Sequence, residues 1–108
     1  MIMKRTLTAL TVSVTMFANS AYAFDPADLQ KLMDTNECVK CDLSGANLGG
    51  TNLMDANLSG ANLVSAYLAG ANLAGADLES ARLGRFDLRG AVLCNTTMPN
   101  GSVIYSGC

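Results

Sequence analysis

The sequence predicts an all-β solenoid, and three regularities between residues 41 and 93 support this prediction. Leucine occupies every fifth position of this segment without interruption: Leu43, Leu48, Leu53, Leu58, Leu63, Leu68, Leu73, Leu78, Leu83, Leu88 and Leu93. The residue two places before each leucine is small except at Phe86, and the residue directly before it is mostly asparagine or aspartate. Positions five apart differ by roughly 140° around an α-helix and lie on opposite faces of a straight strand, so neither element can bury all the leucines together. A chain that turns a corner once per repeat can do so.

The two residues that follow each leucine predict these corners. They are mostly glycine, serine or alanine, as in Gly49-Gly50, Ser59-Gly60 and Ala69-Gly70. Such residues suit a tight turn, because glycine adopts a positive φ without steric cost. We therefore expect eleven repeats wound about a common axis, with the leucines facing inward.

The repeats resemble those of the pentapeptide-repeat family, in which alanine, asparagine or aspartate, and leucine are followed by two variable residues. This pattern is matched throughout residues 41–93. The resemblance implies a right-handed quadrilateral β-helix with four pentapeptides in each coil. Leu43, Leu63 and Leu83 would then stand in one column, and the eleven repeats would form just under three coils.

Residues 1–23 are predicted to be a secretory signal peptide rather than part of the solenoid. Two basic residues precede an apolar stretch from residue 7 to 17, and Ala21-Tyr22-Ala23 provides a small-residue cleavage site. Cleavage is expected after Ala23, which predicts a periplasmic or secreted protein. The apolar stretch is shorter than the roughly 20 residues of a membrane span, so we expect no stable membrane insertion after cleavage.

Residues 24–40 are predicted to cap the first coil with a short helix over residues 26–34. Asp25 is suited to the N-cap position, and Pro26 to the first helical turn. Leu29, Leu32 and Met33 would share the helix face that lies on the solenoid.

Residues 94–108 are predicted to close the other end of the solenoid. Residues 98–101 have the composition of a turn, and Ser102 to Tyr105 can return as a last extended segment. Phe86 is expected to plug this end, because its ring would overpack the narrow alanine column between two coils.

The four cysteines lie in the two cap regions and are predicted to form two disulfides: Cys38 with Cys41 and Cys94 with Cys108. Pairing across the solenoid would need bridged Cα atoms at about 4.4–6.8 Å, whereas the end coils should lie roughly 10 Å apart. A redox-active role for the Cys38 and Cys41 pair is the alternative. Reactive pairs of this spacing usually begin a helix, whereas this pair follows one.

The composition argues against an enzyme. The chain has no histidine and no tryptophan, so Ser/His and Cys/His catalytic pairs are excluded. We expect no catalytic residue, no cofactor and no metal site. After residue 23 the chain carries five basic and nine acidic residues, and this acidic balance argues against binding to nucleic acid.

We expect a non-catalytic exported scaffold that serves as a structural module or binds an unidentified envelope protein. A monomer is the favoured oligomeric state. Tyr67, Arg85 and Arg89 are the candidate partner-binding residues. Tyr67 replaces asparagine at an outward position, and both arginines belong to corners that bound the same side in the next coil of a four-sided stack. Two alternatives are a thiol-disulfide redox protein that acts through Cys38 and Cys41, and a DNA-mimicking protein that binds gyrase.

Overall fold

A computed structural model describes residues 23–84 and 88–108, in which parallel backbone bridges join residues 20 positions apart. These bridges connect Glu37 with Asn57, Asp42 with Asn62, Asn47 with Tyr67, Asn52 with Asn72, Asn57 with Asp77, Asn62 with Arg82, Asn72 with Val92, and Asp77 with Thr97. One coil therefore holds four five-residue repeats. The predicted signal peptide and Phe86 lie outside the described residues, apart from Ala23.

Backbone hydrogen bonds join successive coils in the described part of the chain. On one side, Leu63 donates its N–H to the carbonyl of Arg82 at 2.8 Å, and Asn62 donates to the carbonyl of Cys41 at 2.8 Å. The same two bonds recur on the other sides, for example from Leu48 to Tyr67 and from Tyr67 to Ala46. Adjacent coils are thus held at sheet-like spacing by a repeated pair of bonds.

The structure contains little regular sheet, although an all-β fold was expected. The bridges are isolated because the chain turns after each one, with the fifth residue of the repeat in the left-handed region. Gly70 has φ 75°, and even the non-glycine residues Asp55 and Ser65 have φ 59° and 65° at this position. In the described part of the chain, the strands are β1 (Thr96–Thr97) and β2 (Val103–Ile104).

The core consists of the inward leucines and the alanines beside them. The leucines from Leu43 to Leu78 are at most 1% exposed. Leu83, Leu88 and Leu93 are only partly buried, so the expectation that all eleven leucines are buried was wrong for the last coil. The physical reason is that residues 99–108 do not form a further 20-residue coil above them.

The bridged coils extend beyond residues 41–93 at both ends. Cys38 and Met98 continue the leucine positions, five residues before Leu43 and five after Leu93. Cys38 is fully buried, and the bridges begin at Glu37 and reach Thr97. The leucine period alone did not predict this extension because a cysteine and a methionine replace leucine there.

Helix α1 (Pro26–Thr35) covers the first coil and is one residue longer than predicted. The Asp25 carboxylate accepts the N–H of Ala27 at 2.9 Å as the N-cap, and Leu32 is fully buried. A carboxylate oxygen of Asp28 accepts the N–H of Asp42 at 2.8 Å, which ties the helix to the coil. Met33 is 45% exposed, so its predicted contact with the solenoid was wrong.

Strands β1 and β2 form an antiparallel pair at the other end, with Thr97 opposite Val103. The turn between them is closed by the N–H of Gly101, which donates to the carbonyl of Met98 at 2.8 Å. The tail then reaches Leu93, since a Cβ added to Gly107 would lie 2.8 Å from the Leu93 nitrogen. The C-terminal segment therefore crosses part of the last coil.

Candidate partner-binding side and disulfide sites

Tyr67 stands on the outside of the second coil with its ring against the coil below. A Cβ added to Gly49 would lie 2.6 Å and 2.8 Å from two ring carbons, so the ring occupies the space that a side chain at Gly49 would need. The Tyr67 backbone is bonded twice to the coil below: its N–H donates to the carbonyl of Ala46 at 2.9 Å, and its carbonyl accepts the N–H of Leu48 at 2.8 Å. With 46% of its surface exposed, Tyr67 presents a positioned aromatic surface to solvent.

The asparagines at the equivalent positions do more than face water. The side-chain oxygen of Asn47 accepts the N–H of Gly49 at 3.0 Å, and that of Asn72 accepts the N–H of Ala74 at 3.1 Å. Such bonds order the corner that follows, as in an Asx turn. A tyrosine cannot make this bond with its side chain. Tyr67 therefore lacks the corner-ordering hydrogen bond that asparagine provides at the equivalent positions.

Of the two predicted arginines, the structure describes Arg89, while Arg85 lies outside the described residues. Arg89 is exposed at the corner after Leu88, and its carbonyl accepts the N–H of Gly70 at 2.9 Å. It therefore lies on the coil next to that of Tyr67, above the corner that follows Tyr67. The structure brings these two predicted residues to one edge of the same side.

The cysteines form two disulfides in different surroundings. Cys38 and Cys41 are bridged with their Cα atoms 5.2 Å apart, and they are 0% and 5% exposed. Cys94 and Cys108 are bridged with a Cα separation of 4.8 Å, and there Cys94 is half-buried and Cys108 exposed. The first bridge is part of the core, and the second lies at the surface of the last coil.

A groove that the sequence analysis missed follows one corner column of the solenoid. It has a volume of ≈ 230 Å³ and is lined by Val39, Lys40, Ser59, Gly60, Glu79 and Ser80. The sequence signal for the groove is that its lining residues form three neighbouring pairs at intervals of 20 residues. This signal can be recognised only once the coil length is known. The groove is open and smaller than the roughly 300–1,000 Å³ of typical ligand pockets.

Two absences apply to residues 23–84 and 88–108, the ranges that the structure describes. No group of three or more His, Cys, Asp or Glu side chains is arranged there to hold a metal ion. No helix among these residues has the length and apolar content needed to cross a bilayer.

Comparison with known proteins gave one family match and similar solved structures. The model of the family described as Pentapeptide repeats matches residues 37–73 and 71–101, with eight copies. A comparison with curated proteins gave no match.

Three of the similar structures are pentapeptide repeat proteins. One, from the thylakoid lumen of Arabidopsis thaliana, is 26% identical over 56% of this chain and 56% of its own, with a TM-score of 0.28. HetL of the cyanobacterium Nostoc sp. strain PCC 7120, involved in heterocyst differentiation regulation, is 23% identical over 63% of this chain and 51% of its own, with a TM-score of 0.28. Another Nostoc PCC 7120 protein is 28% identical over 65% of this chain and 63% of its own, with a TM-score of 0.27. The chain thus spans about half to two thirds of the length of these proteins.

The family match and the bridged coils coincide along the chain. The match begins at residue 37 and ends at residue 101, and the bridges run from Glu37 to Thr97. The match also covers more than half of the 108 residues. The chain belongs to the pentapeptide-repeat family.

Proposed function

We propose that this protein is an exported, non-catalytic scaffold that binds an envelope protein through the side that carries Tyr67 and Arg89. Proteins of its family are generally non-enzymatic structural or interaction proteins. The observation that carries the proposal is the position of Tyr67, a half-exposed residue whose ring rests on Gly49. It stands where an asparagine would have ordered the corner.

A tyrosine held in this way is suited to protein recognition. Tyrosine and arginine are enriched among the residues that contribute most to binding energy at interfaces. The backbone bonds of Tyr67 and the packing of its ring reduce the conformational freedom that a partner would otherwise have to restrict. Arg89, exposed in the next coil, carries one of the five positive charges of the chain after residue 23. The partner should therefore present an apolar pocket to the Tyr67 ring.

The scaffold we propose is a short right-handed quadrilateral β-helix, with α1 as the cap of the first coil and a disulfide-closed segment at the last. Its support is the 20-residue interval of the bridges together with the family, whose members form right-handed quadrilateral β-helices. The N-terminal end is closed by the buried Leu32 and by the bond from Asp42 to Asp28. A rigid stack of this kind presents flat sides, which fits binding to a folded protein surface.

Export and a monomeric state complete the proposal. Residues 1–23 have the basic start, apolar stretch and small-residue cleavage site of a secretory signal. The two disulfides favour an oxidising compartment, such as the periplasm or the extracellular space. The partner would then be an envelope protein.

The redox alternative at Cys38 and Cys41 has less support. Reactive cysteines lie in partly exposed surroundings, whereas these two are at most 5% exposed beneath α1. No observation specifically favours gyrase binding.

The test is quantitative capture of partners from the native envelope fraction by purified mature protein and its variants. Tyr67→Ala should weaken capture of the same partner about thirtyfold, corresponding to the roughly 2 kcal/mol of an interface anchor. Tyr67→Asn removes the ring but introduces the kind of corner bond that Asn47 and Asn72 make. It should therefore weaken capture equally, while the protein stays as stable or becomes more stable.

Met54→Ala is the matched control, because Met54 is 44% exposed at a different corner of the solenoid. It should leave capture unchanged. Equal capture by the wild type and both Tyr67 variants would refute the proposal that this side binds the partner.

A further inference from the structure

The two disulfides differ in how a reductant can reach them. At the first bridge, Cys38 Sγ lies 3.2 Å from the carbonyl oxygen of Asp28 in α1, and the fully buried Leu32 packs in the same region. The backbone of Cys38 is also bonded into the stack, with its N–H donating to the carbonyl of Asn57 at 2.8 Å. Because both cysteines are at most 5% exposed, an external thiolate needs a local opening of the structure to attack this bridge.

The second bridge needs no such opening. Cys108 is exposed, and its partner Cys94 is half-buried at the surface of the last coil. Thiol-disulfide exchange depends on access to the attacked sulfur, and exposed disulfides are the labile ones in proteins. The exposed position of Cys108 therefore favours attack by a reductant at this bridge.

We propose that the Cys94–Cys108 disulfide is a reducible latch that holds the tail, residues 103–108, on the last coil, whereas Cys38–Cys41 is a permanent staple. A dithiol reductant supplies the two electrons. Its first thiolate attacks Cys108 Sγ, forming a mixed disulfide and releasing the Cys94 thiolate. Its second thiolate then closes the reductant's own disulfide, releases the Cys108 thiolate, and leaves both protein sulfurs reduced.

The tail depends on the latch because it buries little surface of its own. Val103 and Tyr105 are 41% and 64% exposed, and the pairing of β2 with β1 covers two residue pairs. Beyond β2, the tail meets the last coil at Gly107, close to the backbone of Leu93. Breaking the disulfide removes the covalent restraint on a segment with few other contacts.

Release of the tail stops at β1, which is fixed independently of the disulfide. Thr96 is fully buried, and its hydroxyl donates to the carbonyl of Leu73 at 2.7 Å. Thr97 donates its N–H to the carbonyl of Ala76 at 3.0 Å. Reduction therefore frees residues 103–108 and uncovers the end near the half-buried Leu93, while the coils below it remain bonded. The thiol state of the surroundings thus controls how much of this apolar end is exposed.

The first test follows reduction of the oxidised mature protein by dithiothreitol without denaturant. Free thiols are trapped with N-ethylmaleimide at successive times. Trypsin separates the sites, since cleavage after Arg89 leaves both latch cysteines in residues 90–108, whereas Cys38 is in residues 32–40. Labelling of residues 90–108 should be at least about tenfold faster, because the staple must await local opening. Equal or faster labelling of Cys38 would overturn the proposal.

The second test asks whether the disulfide holds the tail. Hydrogen exchange of the selectively reduced protein, and of the Cys94→Ser/Cys108→Ser variant, should rise at least about tenfold in residues 103–108 and stay unchanged in residues 43–78. Unchanged exchange in the tail, or loss of protection throughout the coils, would show that the disulfide is not a local latch. Both tests use the protein alone, so they are independent of the proposed partner.

Discussion

Truncation of one leucine in each of three stacked coils tests how the two ends of the solenoid differ. Leu43, Leu63 and Leu83 occupy equivalent positions of successive coils. Leu43 and Leu63 are fully buried, the first beneath the N-terminal cap and the second between coils, whereas Leu83 is only partly buried. The same substitution should therefore have unequal effects in the three coils.

The expected sizes follow from burial. Leu63→Ala removes a fully enclosed side chain, which typically lowers the free energy of unfolding by about 2.7–5.0 kcal/mol. Leu43→Ala should have an effect of the same size because α1 completes its enclosure. At Leu83 the side chain already meets solvent, so we expect about 1–2 kcal/mol and a cavity that water can enter.

The assay is equilibrium unfolding of the oxidised protein in guanidinium chloride, with thermal melting as a second measure. For a domain of this size, each kcal/mol corresponds to a shift in melting temperature of about 4–8 °C. Leu63→Met is the control, since a swap that conserves volume should cost less than about 1.5 kcal/mol. An effect at Leu83 as large as that at Leu63, or one at Leu43 as small as that at Leu83, would refute the asymmetry of the ends.

Three further substitutions test the corners and the cap. Ser65→Gly should raise the free energy of unfolding by about 0.5–1 kcal/mol, since Ser65 has φ 65° and glycine relieves that strain; a lower melting temperature would contradict this. Asn72→Ala removes the bond to the N–H of Ala74 and should lower stability by about 0.5–1.5 kcal/mol in the same assay, so an unchanged denaturation midpoint would show that the bond is not needed. Asp25→Ala removes the N-cap bond to Ala27 and should cost about 0.5–2 kcal/mol, with increased hydrogen exchange confined to α1; exchange that rises elsewhere but not in α1 would argue against the cap.

The five-residue period predicted the winding of the chain because it reflects a constraint that no single helix or strand can meet. It did not predict where the winding ends. Cys38 and Met98 hold leucine positions in the structure, but a pattern defined by leucine excludes them. The five-residue period also did not predict that Leu83 and Leu93 are only partly buried. Leucine is repeated at these positions whether or not a further coil covers them.

For the candidate site, the sequence identified Tyr67 as an exception among the outward asparagines. It did not show why asparagine is preferred at that position. The sequence analysis gave the outward asparagines no structural role, whereas Asn47 and Asn72 accept a hydrogen bond from the corner that follows each of them. The contact between Tyr67 and Gly49 joins residues 18 positions apart and needed the stack to be seen. The difference between the two disulfides likewise depends on what covers them, which spacing alone does not reveal.

The most direct test of the stacked coils is an NMR measurement of scalar couplings across the hydrogen bonds of the isotope-labelled mature protein. With four pentapeptides per coil, the amide nitrogen of Leu63 should couple to the carbonyl carbon of Arg82, its partner at 2.8 Å. The amide nitrogen of Asn62 should couple in the same way to the carbonyl carbon of Cys41. Coils of three pentapeptides would pair Leu63 with Asp77 instead, and a coupling between those two residues would contradict the fold on which the sides, corners and caps depend.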